Sequence, residues 1–319
     1  MAAAAIDTTD HTKAKRVKKS LTSPWATAAA IAIAILWTVP TFGLLVSSFR
    51  PEKLVKTTGW WTTFTDPIFT FDNYNTVLFE SGASSAKLGS YFINSLTIAI
   101  PGTIFPLVIA LMASYAFAWI PFRGSEWLFV MVFALQIVPL QMALIPLLSI
   151  MSKDIVIIPD NVLMFGMDID WTISKMSGTF AAVWIAHTIF GLPLAIFLLH
   201  NFISEIPGDI IEAARIDGAS HTKIFTRIIL PLSMPAIASL AIFQFLWVWN
   251  DLLVALVFSG GTIDVAPLTQ RLAEFAGSRG SDWHILTAAA FVSIIVPLIV
   301  FFSLQRYFVR GLLAGSTKG

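Results

Sequence analysis

Long uncharged runs of apolar residues dominate the chain and alternate with shorter polar stretches. A helix rises about 1.5 Å per residue, so crossing a hydrocarbon core of roughly 30 Å takes about 20 mostly apolar residues. Six runs reach this length and are predicted to span a membrane: Trp25–Ser48, Tyr91–Ile120, Trp127–Met151, Phe180–Ile203, Leu232–Phe258 and Ile285–Gln305. We therefore expect an all-α membrane protein of about six transmembrane helices.

Prolines interrupt several of these predicted spans. The second span is longer than a bilayer requires and contains Pro101 and Pro106, so we expect a tilt, a kink or a later start. Further prolines inside predicted spans are Pro139, Pro146, Pro193 and Pro297. Each of these is either a hinge or a site of kinked packing against a neighbouring helix.

The composition agrees with lipid as the main solvent. Of the 319 residues, 56% are hydrophobic and only 12% are charged, whereas soluble domains carry about 25% charged residues. The formal net charge of +1 excludes a strong field for nucleic acid. Cysteine is absent, which excludes disulfides, thiolate nucleophiles and cysteine-ligated metals.

Basic residues predict the orientation of the chain. Five lysines and arginines precede the first span and three follow it closely, so the positive-inside rule places both termini of this multi-pass membrane protein in the cytoplasm. The first apolar run is longer than a cleavable signal core of about 7–15 residues. We expect a basic tail at 1–24, one transmembrane domain at 25–310 and a cytoplasmic tail at 311–319.

With this orientation, long polar segments lie on the outer side of the membrane. The first, at about 49–90, is rich in aromatic residues, which form either a belt at the lipid interface or a contact with an outside partner. The second, at about 152–179, has no predicted role. On the inner side, residues 121–126 form only a tight turn, whereas the segment 204–231 is long and polar.

The segment 204–231 predicts two short helices joined by a glycine elbow. Pro207 suits the first turn of a helix that runs to about Ile216. Gly218 adopts a positive φ angle without steric cost, which suits a helix end and a sharp turn. Ser220 is then placed to cap a second short helix with apolar residues at helical spacing.

The charges of this segment favour a protein partner over a lipid surface. An amphipathic helix that lies on anionic lipid carries lysine and arginine on its polar face. In the first helix a single base, Arg215, faces four acids: Glu205, Asp209, Glu212 and Asp217. A net negative charge does not suit attachment to anionic lipid, so docking to a protein with a basic or polar cleft is the better interpretation.

Several motifs resemble one family of transporters. The run Glu212-Ala213-Ala214-Arg215-Ile216-Asp217-Gly218-Ala219 resembles the EAA signature of bacterial ABC importer permeases. Further motifs resemble the carbohydrate branch of that family: Phe71-Asp72-Asn73-Tyr74, Asn94-Ser95, Phe122-Arg123-Gly124, Val138-Pro139, Ile145-Pro146, Trp249-Asn250-Asp251 and the run from Gln305 to Gly311. The resemblance covers roughly residues 69–319 and is nearest to the second permease of maltose and related oligosaccharide importers.

The resemblance implies an import function and a set of partners. The short helices are then coupling helices that dock on cytoplasmic ATP-binding subunits, and those subunits, not this chain, bind ATP and magnesium. The implied docking residues are Glu212, Ala213, Ala214, Arg215, Asp217, Gly218 and Ala219. The other implied partners are a second, homologous permease and an extracytoplasmic solute-binding protein, and the implied substrate is a sugar such as an α-glucoside.

Polar residues in the fifth predicted span are candidates for the substrate pathway. A carboxylate such as Asp251 is costly inside a bilayer and is a functional-site candidate by default. The predicted pathway residues are Gln244, Trp247, Trp249, Asn250 and Asp251, with the tryptophans placed to stack on sugar rings. The alternative is that Asn250 and Asp251 bond to neighbouring helices. His187 in the fourth span is a helix–helix partner or a proton relay.

Other function classes lack their signatures. The chain contains no phosphate-binding G-x-x-x-x-G-K-[ST] loop, no G-x-S-x-G elbow, no H-E-x-x-H helix and no G-x-G-x-x-G fingerprint. We therefore predict no catalytic residue, no metal site and no bound cofactor. The rivals are a permease for another small solute, an ion-coupled secondary carrier, which would need several midplane charges and often an inverted repeat, and an intramembrane enzyme.

Overall fold

The computed structural model describes residues 24–79, 88–158, 163–164, 167–168, 171–278 and 282–316. Nearly all of the predicted basic tail and the last three residues lie outside this description. The described α-helices are α1 Pro24–Ser48, α2 Glu52–Thr57, α3 Asp72–Leu78, α4 Leu88–Trp119, α5 Ser125–Ala134, α6 Leu140–Met151, α7 Phe180–Ser204, α8 Gly208–Ile216, α9 His221–Ile224, α10 Leu230–Leu232, α11 Met234–Asn250, α12 Leu253–Phe258, α13 Leu268–Ser278 and α14 Trp283–Ser316. The structure confirms the helical class.

Four described helices are long and apolar enough to cross a membrane unaided: Pro24–Ser48, Leu88–Trp119, Phe180–Ser204 and Trp283–Gln305. Two bent helix pairs, Ser125–Ile137 with Leu140–Met151 and His221–Leu232 with Met234–Asn250, bring the candidate spans of the described chain to six. These agree with the predicted number. The last helix continues beyond its predicted end at Gln305 and runs to Ser316.

The third predicted span is two helices that meet at 101° instead of one continuous helix. A short 3-10 turn, Leu135–Ile137, ends the first helix, and Val138 then adopts an extended conformation with ψ of 119°. The ring of Pro139 disfavours the helical conformation at the preceding residue and offers no N–H. Pro139, which was predicted to be either a hinge or a site of kinked packing, therefore produces a sharp bend.

The fifth predicted span is broken near both ends. A bend of 72° separates His221–Leu232 from α11, and Ser233 lies between the two helices. At the other end Asp251 is extended, with ψ of 137°, before α12 begins at Leu253. Asp251 therefore lies at a helix break and not inside a helix, as the single predicted span implied.

Short strands occupy the loop between α6 and α7. Strand β1 (Ile155–Ile158) pairs antiparallel with β4 (Trp171–Ile173), and β2 (Leu163–Met164) pairs antiparallel with β3 (Met167–Asp168). The sequence analysis predicted a loop here and no strands. Apolar, β-branched residues at the start of the segment favour the extended conformation.

The chain divides into two compact units, Met1–Tyr74 with Ser281–Ala288 and Asn75–Gly280 with Ala289–Gly319. In the first unit the side chain of Arg50 is 1% exposed and donates to Gly59 O, Thr58 Oγ1 and Thr62 Oγ1. Asn73 donates to the carbonyls of Ser48 and Arg50. These bonds fold the segment after α1 into a defined structure that leaves Trp61 and Phe64 exposed.

The second unit is built around α4 and α7, which pack along each other, with α11 against both. Its core continues into the segment after α7, because Ile211, Ile224 and Ile229 are buried in the same apolar cluster. At the other end of α4, Asn94 donates to the carbonyls of Ile263 and Ala266. The neighbouring Ser95 Oγ accepts the N–H of Leu268, so the Asn94-Ser95 motif holds the segment before α13.

Candidate functional site: an exposed helix pair and a helix crossing

The helix pair, defined as Gly208–Leu232, has the elbow that the sequence predicted. Gly218 has φ of 74°, in the left-handed region that favours glycine. The N–H of Ala219 donates to Ala214 O at 2.9 Å and that of Gly218 to Arg215 O at 3.0 Å, which is the Schellman pattern of a helix end. Ser220 Oγ then accepts the N–H of Lys223 and caps α9.

One face of the helix pair is exposed and carries the acidic residues. Asp209, Glu212 and Asp217 are exposed, and between them the apolar side chain of Ile216 is 86% exposed. Among the other predicted docking residues, Ala213, Arg215 and Gly218 are also exposed. Ala214 and Ala219 instead pack against the apolar core of the chain itself.

Polar contacts join the helix pair to the last turns of α4. Arg215 Nη2 donates to the carbonyl of Trp119 at 3.0 Å, where a cation suits the negative end of the α4 dipole. The hydroxyl of Tyr115 lies 2.9 Å from His221 Nδ1, and its ring packs on Phe225 at 5.3 Å between centroids. A π-helical turn, Phe225–Ile229, follows at once. These polar contacts join the segment to the end of α4, and its buried isoleucines share an apolar cluster with both α4 and α7.

The helix crossing is the region where α4, α7 and α11 meet around Gly102, Gly191 and Gln244. A Cβ at Gly191 would lie 2.7 Å from Gln244 Nε2, and one at Gly102 would lie 3.2 Å from a methyl group of Val248. Small residues thus let the helices approach closely, as is usual inside membranes. Gln244 itself is only 7% exposed.

A cavity of about 810 Å³ opens beside the helix crossing, at the bend between α5 and α6. Its lining residues are uncharged: Leu135, Gln136, Val138, Pro139, Leu140, Ala143, Ile189, Phe190, Gly191, Pro193, Leu194, Ala195, Leu198, Leu240, Phe243, Gln244 and Trp247. Of the predicted pathway residues, only Gln244 and Trp247 are among them. The sequence analysis missed Gln136, which immediately precedes the bend at Val138-Pro139.

The remaining predicted pathway residues have partners within the protein. Trp249 is buried and its Nε1 donates to Ser293 O at 3.0 Å. Asn250 donates to Leu246 O within its own helix. Asp251 Oδ2 accepts the N–H of Ala255 at 3.1 Å, and so caps α12 after the helix break.

His187 is buried beside Asp251. Its Nδ1 lies 2.9 Å from Val183 O, a carbonyl that can only accept, so Nδ1 carries a proton. Its Nε2 lies 3.6 Å from Asp251 Oδ2. The Trp247 ring packs edge-on against the imidazole at 5.4 Å. The imidazole of α7 thus approaches the break after α11, but Nε2 makes no hydrogen bond within the described residues, and both roles considered for His187 stay predictions. Within the described residues, no group of three His, Cys, Asp or Glu side chains could hold a metal ion.

Comparison with known proteins gives a consistent family. Residues 102–313 match the model of the family described as binding-protein-dependent transport system inner membrane component. The osmoprotective compounds uptake permease protein GgtD of Synechocystis sp. is 54% identical over 91% of this chain and 90% of its own length. The alpha-glucoside transport system permease protein AglG of Rhizobium meliloti is 53% identical over 86% of this chain and 67% of its own length.

A solved structure shares the fold. A chain of a bacterial ABC transporter involved in the import of the acidic polysaccharide alginate superposes with a TM-score of 0.65 at 18% identity. The match covers 89% of this chain and 96% of that one. At this identity the likeness supports the arrangement of helices and not the substrate.

Proposed function

This chain belongs to the family of binding-protein-dependent transport system inner membrane components, and we propose that it carries a neutral α-glucoside across the cytoplasmic membrane by alternating access. It is a membrane-spanning ABC importer permease, a transport subunit and not an enzyme. The observation that carries the substrate class is the cavity at the helix crossing, together with the α-glucoside permease that is 53% identical to the chain.

The chemistry of the cavity suits an uncharged, polyhydroxylated solute. Its lining residues carry no formal charge, so a charged solute would lose its hydration without compensation. Trp247, Phe190 and Phe243 offer apolar rings for the faces of a sugar. Gln136 adds an amide group, which both donates and accepts hydrogen bonds with hydroxyl groups.

The exposed face of the helix pair suits an ATP-binding subunit, which would hold ATP and magnesium. A strongly exposed isoleucine framed by acids, Ile216 between Glu212 and Asp217, is typical of a protein contact with an apolar centre and a polar rim. The deficit of basic residues on α8 disfavours the lipid surface. Movement of the docked subunit would reach the spans through Arg215 and His221, which contact the end of α4.

Two further partners complete the transporter. The cavity is walled on this chain by residues 135–143, 189–198 and 240–247, and a second, homologous permease would supply the remaining wall. An extracytoplasmic solute-binding protein would deliver the substrate on the opposite side. The orientation that fits this scheme places the helix pair and both termini in the cytoplasm, as the basic residues before α1 favour.

Reconstituted uptake tests the function. The tagged chain is purified in mild detergent with its native partners, identified by mass spectrometry, and placed in liposomes with ATP inside. We expect uptake of radiolabelled maltose or sucrose that requires both ATP and the binding protein, with little uptake of a glucuronate-containing disaccharide. Trp247→Ala should lower uptake, whereas Trp37→Ala, on the exposed surface of α1, serves as the matched control.

The competing functions give different outcomes in the same liposomes. An ion-coupled carrier would transport without ATP and would stop when an ionophore collapses the gradient. A permease for another small solute would show ATP hydrolysis stimulated by a different loaded binding protein and no glucoside uptake. Preference for the charged disaccharide would contradict the argument from the uncharged cavity.

A further inference from the structure

Prolines inside the spanning helices leave particular carbonyls without an intrahelical donor. In an α-helix the N–H of each residue bonds to the carbonyl four residues earlier, and proline has no N–H. Three such pairs are Thr97 O with Pro101, Gly102 O with Pro106, and Ser293 O with Pro297. A carbonyl without a partner in a membrane is costly, because no water is available to bond it.

Each of these carbonyls receives an N–H from a side chain on another helix. The three bonds are Trp184 Nε1 to Thr97 O at 2.8 Å, Gln244 Nε2 to Gly102 O at 3.1 Å, and Trp249 Nε1 to Ser293 O at 3.0 Å. The donors lie on α7 and α11, and the acceptors lie on α4 and α14. The match between proline position and acceptor explains why these long polar side chains point at backbone.

The bond to Gly102 lies in a closely packed part of the helix crossing. Gln244 reaches the carbonyl between two glycines, and a Cβ at Gly191 would lie 2.7 Å from Gln244 Nε2. The amide is buried, and the bond joins residues 142 positions apart in the chain. Replacement of Gly191 would push the amide away from its acceptor, whereas a side chain at Gly102 would meet Val248.

We propose that Trp184, Gln244 and Trp249 are positioning residues of the transport cycle that act through the carbonyls freed by Pro101, Pro106 and Pro297. A side-chain donor on a neighbouring helix can part from the carbonyl when the two helices separate. A backbone N–H of the same helix would instead stay bonded to that carbonyl and keep the helix straight. The three bonds therefore stabilise the described arrangement of α4 and α14 and release these helices to bend in the other state of the cycle. This inference rests on the proposed import function.

The relation between donor and proline gives a direct test. Gln244→Met keeps the length of the side chain and removes the donor, whereas Pro106→Ala restores an N–H to Gly102 O within α4. We expect Gln244→Met alone to slow initial glucoside uptake about fivefold and to lower the melting temperature of the purified complex. In the Pro106→Ala background the same substitution should slow initial uptake by less than about twofold, and it should lower the melting temperature by less than it does alone.

A crossed pair provides the matched control. Trp184→Phe removes the indole N–H that bonds to Thr97 O, and its effect should be relieved by Pro101→Ala and not by Pro106→Ala. In the same way Pro101→Ala should not relieve Gln244→Met. Pro106→Ala alone should keep or raise the melting temperature while lowering the maximal uptake rate about threefold, with KM unchanged, because the stiffer helix resists bending.

Equal effects of Gln244→Met in both backgrounds, or a raised KM as its main effect, would overturn the proposal and return Gln244 to substrate contact. Normal uptake by Pro106→Ala would also overturn it, because bending at this proline would then have no role. The melting temperatures are measured without transport. If they show the rescue while the wild-type complex imports no glucoside, the hydrogen-bond assignment stands and the proposed substrate fails.

Discussion

The helix pair and the helix crossing use polar side chains in opposite ways. In the helix pair Asp209, Glu212 and Asp217 point away from the protein, and Ile216 is exposed among them. In the helix crossing Gln244 and His187 are buried and directed at backbone or at another side chain. The first region therefore has charged and apolar side chains available on its surface, while the polar side chains of the second are bonded within the chain.

This contrast separates two kinds of experimental readout. Changes in the helix pair should alter how efficiently ATP hydrolysis drives transport, because we propose that this region docks on the ATP-binding subunit. Changes that expose or enlarge the cavity at the helix crossing should alter the apparent affinity for the solute. If a helix-pair variant changed solute affinity, or a cavity variant changed coupling to ATP hydrolysis, the two regions would not have these separate roles.

Gly218→Val should have the largest effect, because a branched residue resists φ of 74° and would deform the elbow. The left-handed conformation costs a residue with a Cβ about 1–2 kcal/mol. We expect the chain to insert normally, ATP hydrolysis to continue, and uptake per ATP to fall at least about tenfold. The measurement is the ratio of solute imported to ATP hydrolysed in proteoliposomes.

Gly124→Val is the matched control for the elbow. Gly124 has φ of 83°, and, like Gly218, a Cβ there would meet no atom within 4 Å. The two substitutions therefore impose similar backbone strain at different places. If Gly124→Val lowers the coupling ratio equally, the effect reflects strain in general and not the position of the elbow.

Trp247→Ala should have the next largest effect and should act on binding. The substitution removes an aromatic wall of the cavity and its edge contact with His187. We expect the apparent KM for the glucoside to rise roughly tenfold while uptake per ATP changes little. Trp247→Phe, which keeps a ring, should recover most of the affinity. If uptake per ATP fell while KM stayed constant, Trp247 would act on coupling and not on binding, which would contradict the separate roles proposed for the two regions.

Tyr115→Phe tests the contact between the helix pair and α4, because it removes only the hydroxyl oxygen of one side chain. The variant keeps the ring contact with Phe225 and removes the hydroxyl that bonds to His221. Loss of one such hydrogen bond should lower uptake per ATP about threefold and leave KM unchanged. His221→Phe should show the same change, and the double variant should be no worse than either single one.

Asp251→Asn should have the smallest effect on assembly, because an amide oxygen still accepts the N–H of Ala255. We expect a normal yield of complex and a larger change in transport, since the charge facing His187 is lost. Asp251→Ala, which removes the cap, should destabilise the complex by about 1 kcal/mol. Normal uptake with poor yield of Asp251→Asn would favour a purely structural role.

Local rules account for what the sequence predicted well. The ends of α1 and α7 lie within one residue of the predicted spans, because uninterrupted apolar length is enough to define them. The elbow at Gly218 was likewise predictable, since a positive φ angle is a property of one residue and its neighbours. The docking of the acidic face on an ATP-binding subunit remains a prediction.

Non-local pairing accounts for what the sequence did not predict. A proline identifies the carbonyl that it frees, but the donor for that carbonyl lies on another helix, as Gln244 does for Gly102. Gln244 and Trp249 were therefore predicted only as pathway residues. The angle at Pro139 and the cavity beside it also depend on packing, although the proline marks the place.

The central claim is that the exposed face of the helix pair docks on an ATP-binding subunit, and cross-linking tests it directly. The chain contains no cysteine, so Ile216→Cys provides a single thiol for a short thiol-to-amine cross-linker in native membranes. Lys153→Cys, exposed in the loop after α6, is the control. The account predicts a cross-linked product with an ATP-binding subunit from Ile216→Cys alone. Cross-linking of Ile216→Cys only to lipid or to copies of the same chain would contradict it.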